Sequence, residues 1–93
     1  MKVLAVCGFG VGTSMVLKMN IQDVLEENDI QAKVETADSN TATSKKADII
    51  LTSKEVGEVL GETEAPKIII SDFMDIKEIE NKLVSFIEED YSQ

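Results

Sequence analysis

Val3-Leu4-Ala5-Val6-Cys7-Gly8-Phe9-Gly10-Val11-Gly12-Thr13-Ser14 is the stretch whose reading decides the fold. The apolar run Val3 to Val6 reads as a strand, the alternating glycines as a turn, and a helical pattern leaves from Ser14 onward. Gly8, Gly10 and Gly12 allow positive φ and let backbone N–H groups face inward. The helix N-terminus adds unpaired donors and the positive end of its dipole. An anion-sized hole is the predicted product, and Cys7, the single cysteine of the chain, stands at its lip. A thiol beside such donors is expected to have its pKa lowered from about 8.5, which makes it a nucleophile. The expectation is therefore that Cys7 is phosphorylated. N–H groups from Gly8, Phe9, Gly10, Val11, Gly12, Thr13 and Ser14, with the Thr13 and Ser14 hydroxyls, would hold the phosphoryl group.

Working outward, Lys2 to Val6 is apolar on both faces, as suits a central parallel strand. Leu17, Ile21, Val24, Leu25 and Asn28 give the following helix one buried stripe, with Thr13 or Ser14 as its N-cap and Asn28-Asp29 at its end. Met15 and Met19 share helical spacing, a pattern more often of core than of a docking patch. Lys18 reads as a solvated helix residue before it reads as a phosphate contact. Ile30 to Thr36 alternates as an edge strand does, and the small polar residues from Asp38 to Lys46 predict a loop. Ala47 to Thr52 and Lys67 to Ser71 are β-branched runs suited to buried parallel strands. Between them Ser53 can cap a short helix running to about Leu60, which Gly61 can end, and Pro66 forbids its continuation. Asp75 with Glu78 forms a capping-box-like start for a last helix, whose stripe is Ile76, Ile79, Leu83, Phe86 and Ile87. Glu88 to Asp90 reads as a solvated tail.

This order predicts an α/β three-layer sandwich over a single domain, residues 1–93, with a four-stranded parallel sheet in the order 2-1-3-4 and helices on both faces. Ligands bind such sheets beyond the carboxyl ends of the strands at the switch point, where the Cys7 loop lies. Thr52-Ser53 and Ser71-Asp72-Phe73 end their strands on the same rim, which makes Ser71 and Asp72 secondary candidates.

A net charge of -9 opposes binding to nucleic acid and to anionic membrane surfaces. With no histidine and one cysteine, the chain has no internal disulfide, no cysteine–histidine dyad and no usual zinc ligand set. No carboxylates cluster on the loop, so neither metal nor cofactor is expected. No signal peptide or membrane-spanning stretch is readable, which points to a cytoplasmic protein without direct membrane insertion.

Other readings of the loop differ in what they demand. A Walker A loop ends in Gly-Lys-Ser/Thr, and the lysine is missing; a dinucleotide fingerprint would need Gly or Ala where Thr13 stands. Low-molecular-weight cysteine phosphatases use C-x5-R-[ST], which Cys7 and Thr13-Ser14 match except that Thr13 replaces the arginine. Loss of that bidentate group favours holding a phosphocysteine over hydrolysing it. A non-enzymatic anion-binding regulatory module with an unmodified cysteine is the remaining alternative.

Val6 to Met15, continuing to Lys18-Met19, resembles the cysteine loop and first helix of IIB components of the bacterial phosphoenolpyruvate-dependent sugar phosphotransferase system (PTS). The likeness is to the ascorbate-type branch and next to the galactitol-type, within the lactose/cellobiose-like IIB superfamily. Phe9 and Val11 stand where an ascorbate-type loop is expected to have Asn and Gln. The resemblance implies a phosphoryl carrier and transferase. A IIA component would donate from phosphohistidine to Cys7, and a membrane IIC component would hold the sugar that receives the group. The protein would then be peripherally associated with its transporter.

Overall fold

The structure, a computed structural model, describes residues 1–7, 11–38, 41–42 and 45–91. Along the chain run β1 (Lys2–Cys7), α1 (Val11–Glu27), β2 (Lys33–Asp38), β3 (Ile49–Thr52), α2 (Lys54–Leu60), β4 (Lys67–Ile69) and α3 (Ile76–Phe86). The strands form one parallel sheet in the order β2-β1-β3-β4, as expected. Strand alternation then divides the core. Val3, Ala5 and Cys7 pack with Leu17, Ile21 and Val24 of α1 and with Ile79 and Leu83 of α3. Leu4 and Val6 face the other way, against Ala42 and against Val56 and Leu60 of α2. Helices thus cover both faces, and full burial of a side chain such as Leu17 or Leu83 is worth about 1.5–3 kcal/mol.

Local chemistry sets the element boundaries, and several differ from expectation. Helix α1 begins at Val11, so Thr13 and Ser14 lie inside its first turn and neither is its N-cap. At the other end Asp29 takes φ 55°, Ile30 N–H bonds to the Leu25 carbonyl at 2.9 Å, and Asp29 N–H bonds to that of Glu26 at 3.2 Å. This reversed turn ends the helix and folds Ile30 back onto the core. Asn28 lies past the helix and is no part of an apolar stripe; its amide donates to the Val24 carbonyl and to Glu80. The turn and its exit use the residues up to Ala32, so β2 begins at Lys33 and not at Ile30. It is the edge strand expected, and Glu35 meets Lys2 at 3.4 Å and Lys33 at 3.5 Å across its outer side.

The capping predictions fare better. Ser53 accepts from Val56 N–H at 3.3 Å, and Gly61 ends α2 at φ 65°, a conformation suited to glycine. Lys67 Nζ donates to the Gly57 and Gly61 carbonyls, closing the end of that helix. Asp75 accepts from Glu78 N–H at 3.1 Å, but Glu78 does not complete the box. Its carboxylate accepts instead from Ser71 N–H at 2.7 Å and Asp72 N–H at 3.1 Å. That diversion removes Ser71 from the ladder, and β4 stops at Ile69 although Ile70 N–H still reaches the Thr52 carbonyl at 2.8 Å. Ile76, expected in the buried stripe, is 42% exposed at the first position of α3. After Phe86 the predicted tail is a π-helical turn, Ile87–Tyr91, whose Ile87 remains buried.

Candidate functional site

Cys7 is the last residue of β1, in register with Asp38 at the end of β2. Strand alternation turns its side chain toward α1 and α3, where it is 6% exposed among Leu17, Ile21 and Ile70. Burial pushes the Cys7 thiol up, opposite to the direction read from the sequence. The reason is that the sulfur shares an apolar cluster, which disfavours the thiolate more than proximity in sequence to a helix start could reveal.

Three residues separate Cys7 from α1. Gly8, Phe9 and Gly10, proposed as phosphate donors, lie outside the described residues. Val11, Gly12, Thr13 and Ser14 form the first turn of α1, whose N–H groups lack acceptors within the helix. The positive end of a 17-residue helix therefore stands next in the chain to the thiol.

The surrounding rim is held by groups that the motif does not contain. Thr52, fully buried, donates from Oγ1 to the Val6 carbonyl at 2.9 Å and ties the residue before Cys7 to β3. Asn20 Nδ2 donates to the Phe73 carbonyl at 2.7 Å and joins α1 to the β4–α3 turn. Glu78 holds that turn from α3. The Lys82 ammonium at 2.7 Å and the Ser71 and Asp72 amides lower its carboxyl to about 2. Both amides are thereby engaged, so Ser71 and Asp72 do not offer their N–H groups to a phosphoryl ligand. Lys18 is half-buried on α1. Met15 and Met19 are exposed, 45% and 58%, and not core as their spacing implied. Sequence reasoning put Thr52 on this rim without its bond to Val6, and it missed Asn20. Their signal was a polar side chain amid apolar neighbours, which in a packed layer needs a partner.

The family model for the PTS system, Lactose/Cellobiose specific IIB subunit, matches residues 2–85. The chain belongs to this IIB family. Among curated relatives, the ascorbate-specific PTS system EIIB component of Mycoplasma pneumoniae (strain ATCC 29342 / M129 / Subtype 1) is 31% identical over 84 residues, covering 87% of this chain and 88% of that protein. Among solved structures, the lactose-specific IIB component domain from Streptococcus pneumoniae aligns with TM-score 0.56 at 20% identity, over 99% of this chain and 98% of that one. The Enzyme IIB subunit of the PTS from Escherichia coli K12 aligns with TM-score 0.56 at 19% identity, over 95% and 89%. At these identities the two structures establish the fold. As a IIB component, the chain is part of a sugar phosphotransferase system, where IIB components work with IIA and IIC partners. Among the described residues no helix is long and apolar enough to cross a membrane.

Proposed function

We propose that this IIB component, acting as one domain over residues 1–93, carries a phosphoryl group on Cys7 between a IIA phosphohistidine and a sugar held by IIC. The observation that carries this reading is the placement of the only cysteine at the switch-point end of β1, separated by three residues from the start of α1. In the first step the Cys7 sulfur attacks phosphorus as the N–P bond of phosphohistidine breaks. The thiol proton ends on the departing imidazole. A thiol held protonated by burial suits this exchange, because no thiolate waits uncompensated in the apolar cluster before the donor arrives. Amides from Gly8 to Ser14 and the hydroxyls of Thr13 and Ser14 would bind the transferring oxygens. In the second step a sugar hydroxyl attacks, the S–P bond breaks, and the hydroxyl proton returns to sulfur.

The M. pneumoniae relative supports ascorbate-type cargo. Work between IIA and IIC places the protein in the cytoplasm, beside its membrane transporter. The test is incubation with phosphoenolpyruvate, the general phosphotransferase proteins and the IIA component, followed by intact mass. One added phosphoryl group, absent in Cys7→Ser, is the expected result. No mass gain in the wild type overturns the reading, and hydrolysis of an aryl phosphate replaces it with a phosphatase.

A further inference from the structure

Among the described residues, Thr52 is the only buried side chain that carries a hydroxyl, an amide or a charge. It ends β3, whose other residues, Ile49, Ile50 and Leu51, are apolar. Valine has nearly the same branched shape, and a hydroxyl in its place costs free energy unless it is bonded. Here the partner is the Val6 carbonyl at 2.9 Å, the oxygen of the peptide unit that leads into Cys7. The donor itself is held from two further elements. The Thr52 carbonyl accepts from Ile70 N–H at 2.8 Å, just past β4. Ser53, next in the chain, caps α2 and accepts from Gly57 N–H at 2.8 Å through its carbonyl. The Thr52 methyl faces that helix, 3.5 Å from where a Cβ on Gly57 would stand. The hydroxyl is thus set in place by β4 and α2, and what it grips belongs to β1.

We propose that Thr52 is a positioning residue for the Cys7 sulfur, its hydroxyl fixing the plane of the Val6–Cys7 peptide. This rests on the phosphocysteine reading above. A peptide unit is planar, so the Val6 carbonyl and the Cys7 nitrogen turn together. β1 ends at Cys7, which makes this the last peptide unit within the strand. If its plane turns, the N–Cα bond of Cys7 turns with it and carries the side chain around. In-line attack on phosphorus tolerates little of this, because a misplacement of about 1 Å can cost on the order of 100-fold in rate. Thr52 acts through that peptide and not by contact with the phosphoryl group. A hydroxyl retained where valine would pack is explained by the carbonyl it orients.

The test compares Thr52→Val, which keeps the branched shape and loses the hydroxyl, with Thr52→Ser, which keeps the hydroxyl and loses the methyl. Phosphoryl uptake from phosphorylated IIA gives kcat and KM. In Thr52→Val, kcat is expected to fall at least about tenfold with KM within about twofold; in Thr52→Ser both should stay within about twofold. A role confined to folding would show in urea denaturation of the variants and leave kcat unchanged in both, which overturns the proposal. Equal losses of kcat in the two variants overturn it as well. Should Thr52→Val not fold, Thr52→Ala takes its place with the same expectations. Alkylation of Cys7 by iodoacetamide needs no phosphoryl donor. It should be at least about threefold faster in Thr52→Val, where the sulfur is no longer held in its buried place, and unchanged in Thr52→Ser. An unchanged rate in Thr52→Val counts against the proposal. If the wild type takes up no phosphoryl group, the carrier reading fails, and the alkylation comparison still decides whether Thr52 places the sulfur.

Discussion

The two faces of the sheet are built to different depths. On one, the long helices α1 and α3 bury Val3, Ala5 and Cys7 under Leu17, Ile21, Ile79 and Leu83, each of those four fully buried. On the other, the seven-residue α2 and the segment around Ala42 cover Leu4 and Val6, and the covering side chains Val56 and Leu60 keep 8% and 9% exposure. Cys7 faces the deep side. The difference teaches that the thiol proposed to carry the phosphoryl group is set in the more deeply buried part of the molecule. On the proposed function a donor would approach it at the rim, where the Asn20–Phe73 and Asp72–Met74 bonds hold the turn.

Truncation should give the largest contrast. Leu83→Ala, on the deep face, is expected to cost about 3–4 kcal/mol, and Leu60→Ala, at the margin of the shallow one, about 2 kcal/mol, read by urea denaturation. Equal losses would break the comparison.

Next in size is the clamp on the rim. Glu78 has its carboxyl lowered to about 2, below the ordinary glutamate value of about 4.3. A lowered folded-state pKa stabilises the fold above the unfolded value, and that contribution disappears as pH falls toward about 2. Glu78→Gln should therefore melt about 5 °C below the wild type at neutral pH, with the gap closing across that acid window. A gap that persists at the lowest pH would show that the charge is not what holds the turn.

The smallest effect is expected on the shallow face. A Cβ at Gly57 would meet Ile69 Cδ1 at 2.8 Å, yet that atom is the movable end of a side chain. Gly57→Ala also gains helix propensity of up to about 1 kcal/mol. The two should nearly cancel, leaving stability within about 1 kcal/mol by denaturation. A larger loss would mean that the thin layer is packed as tightly as the thick one.

Much of this was legible in the chain itself because it rests on local chemistry. Apolar runs, the Ser53 and Gly61 caps and the Leu17 to Leu25 stripe depend on near neighbours, and they led to the element order and the 2-1-3-4 sheet, while the motif from Val6 to Met15 led to the family. Boundaries failed where a distant group competed for a backbone amide. Glu78 takes Ser71 from the ladder, and the reversed turn at Asp29 delays β2. The Cys7 ionisation was misread for a similar reason. Helix proximity is visible in the sequence, whereas the apolar cluster around the sulfur exists only once α1 and α3 have packed.

What the sequence determined by itself was the strand that ends at the sole cysteine and the helix that follows it, since hydrophobic period is a property of consecutive residues. Tertiary structure alone decided that the thiol is buried and its pKa pushed up, that Met15, Met19 and Met74 stay in solvent, and that Glu78 holds the rim. Each of those depends on which surface another element covers, and that is settled only when the helices dock on the sheet.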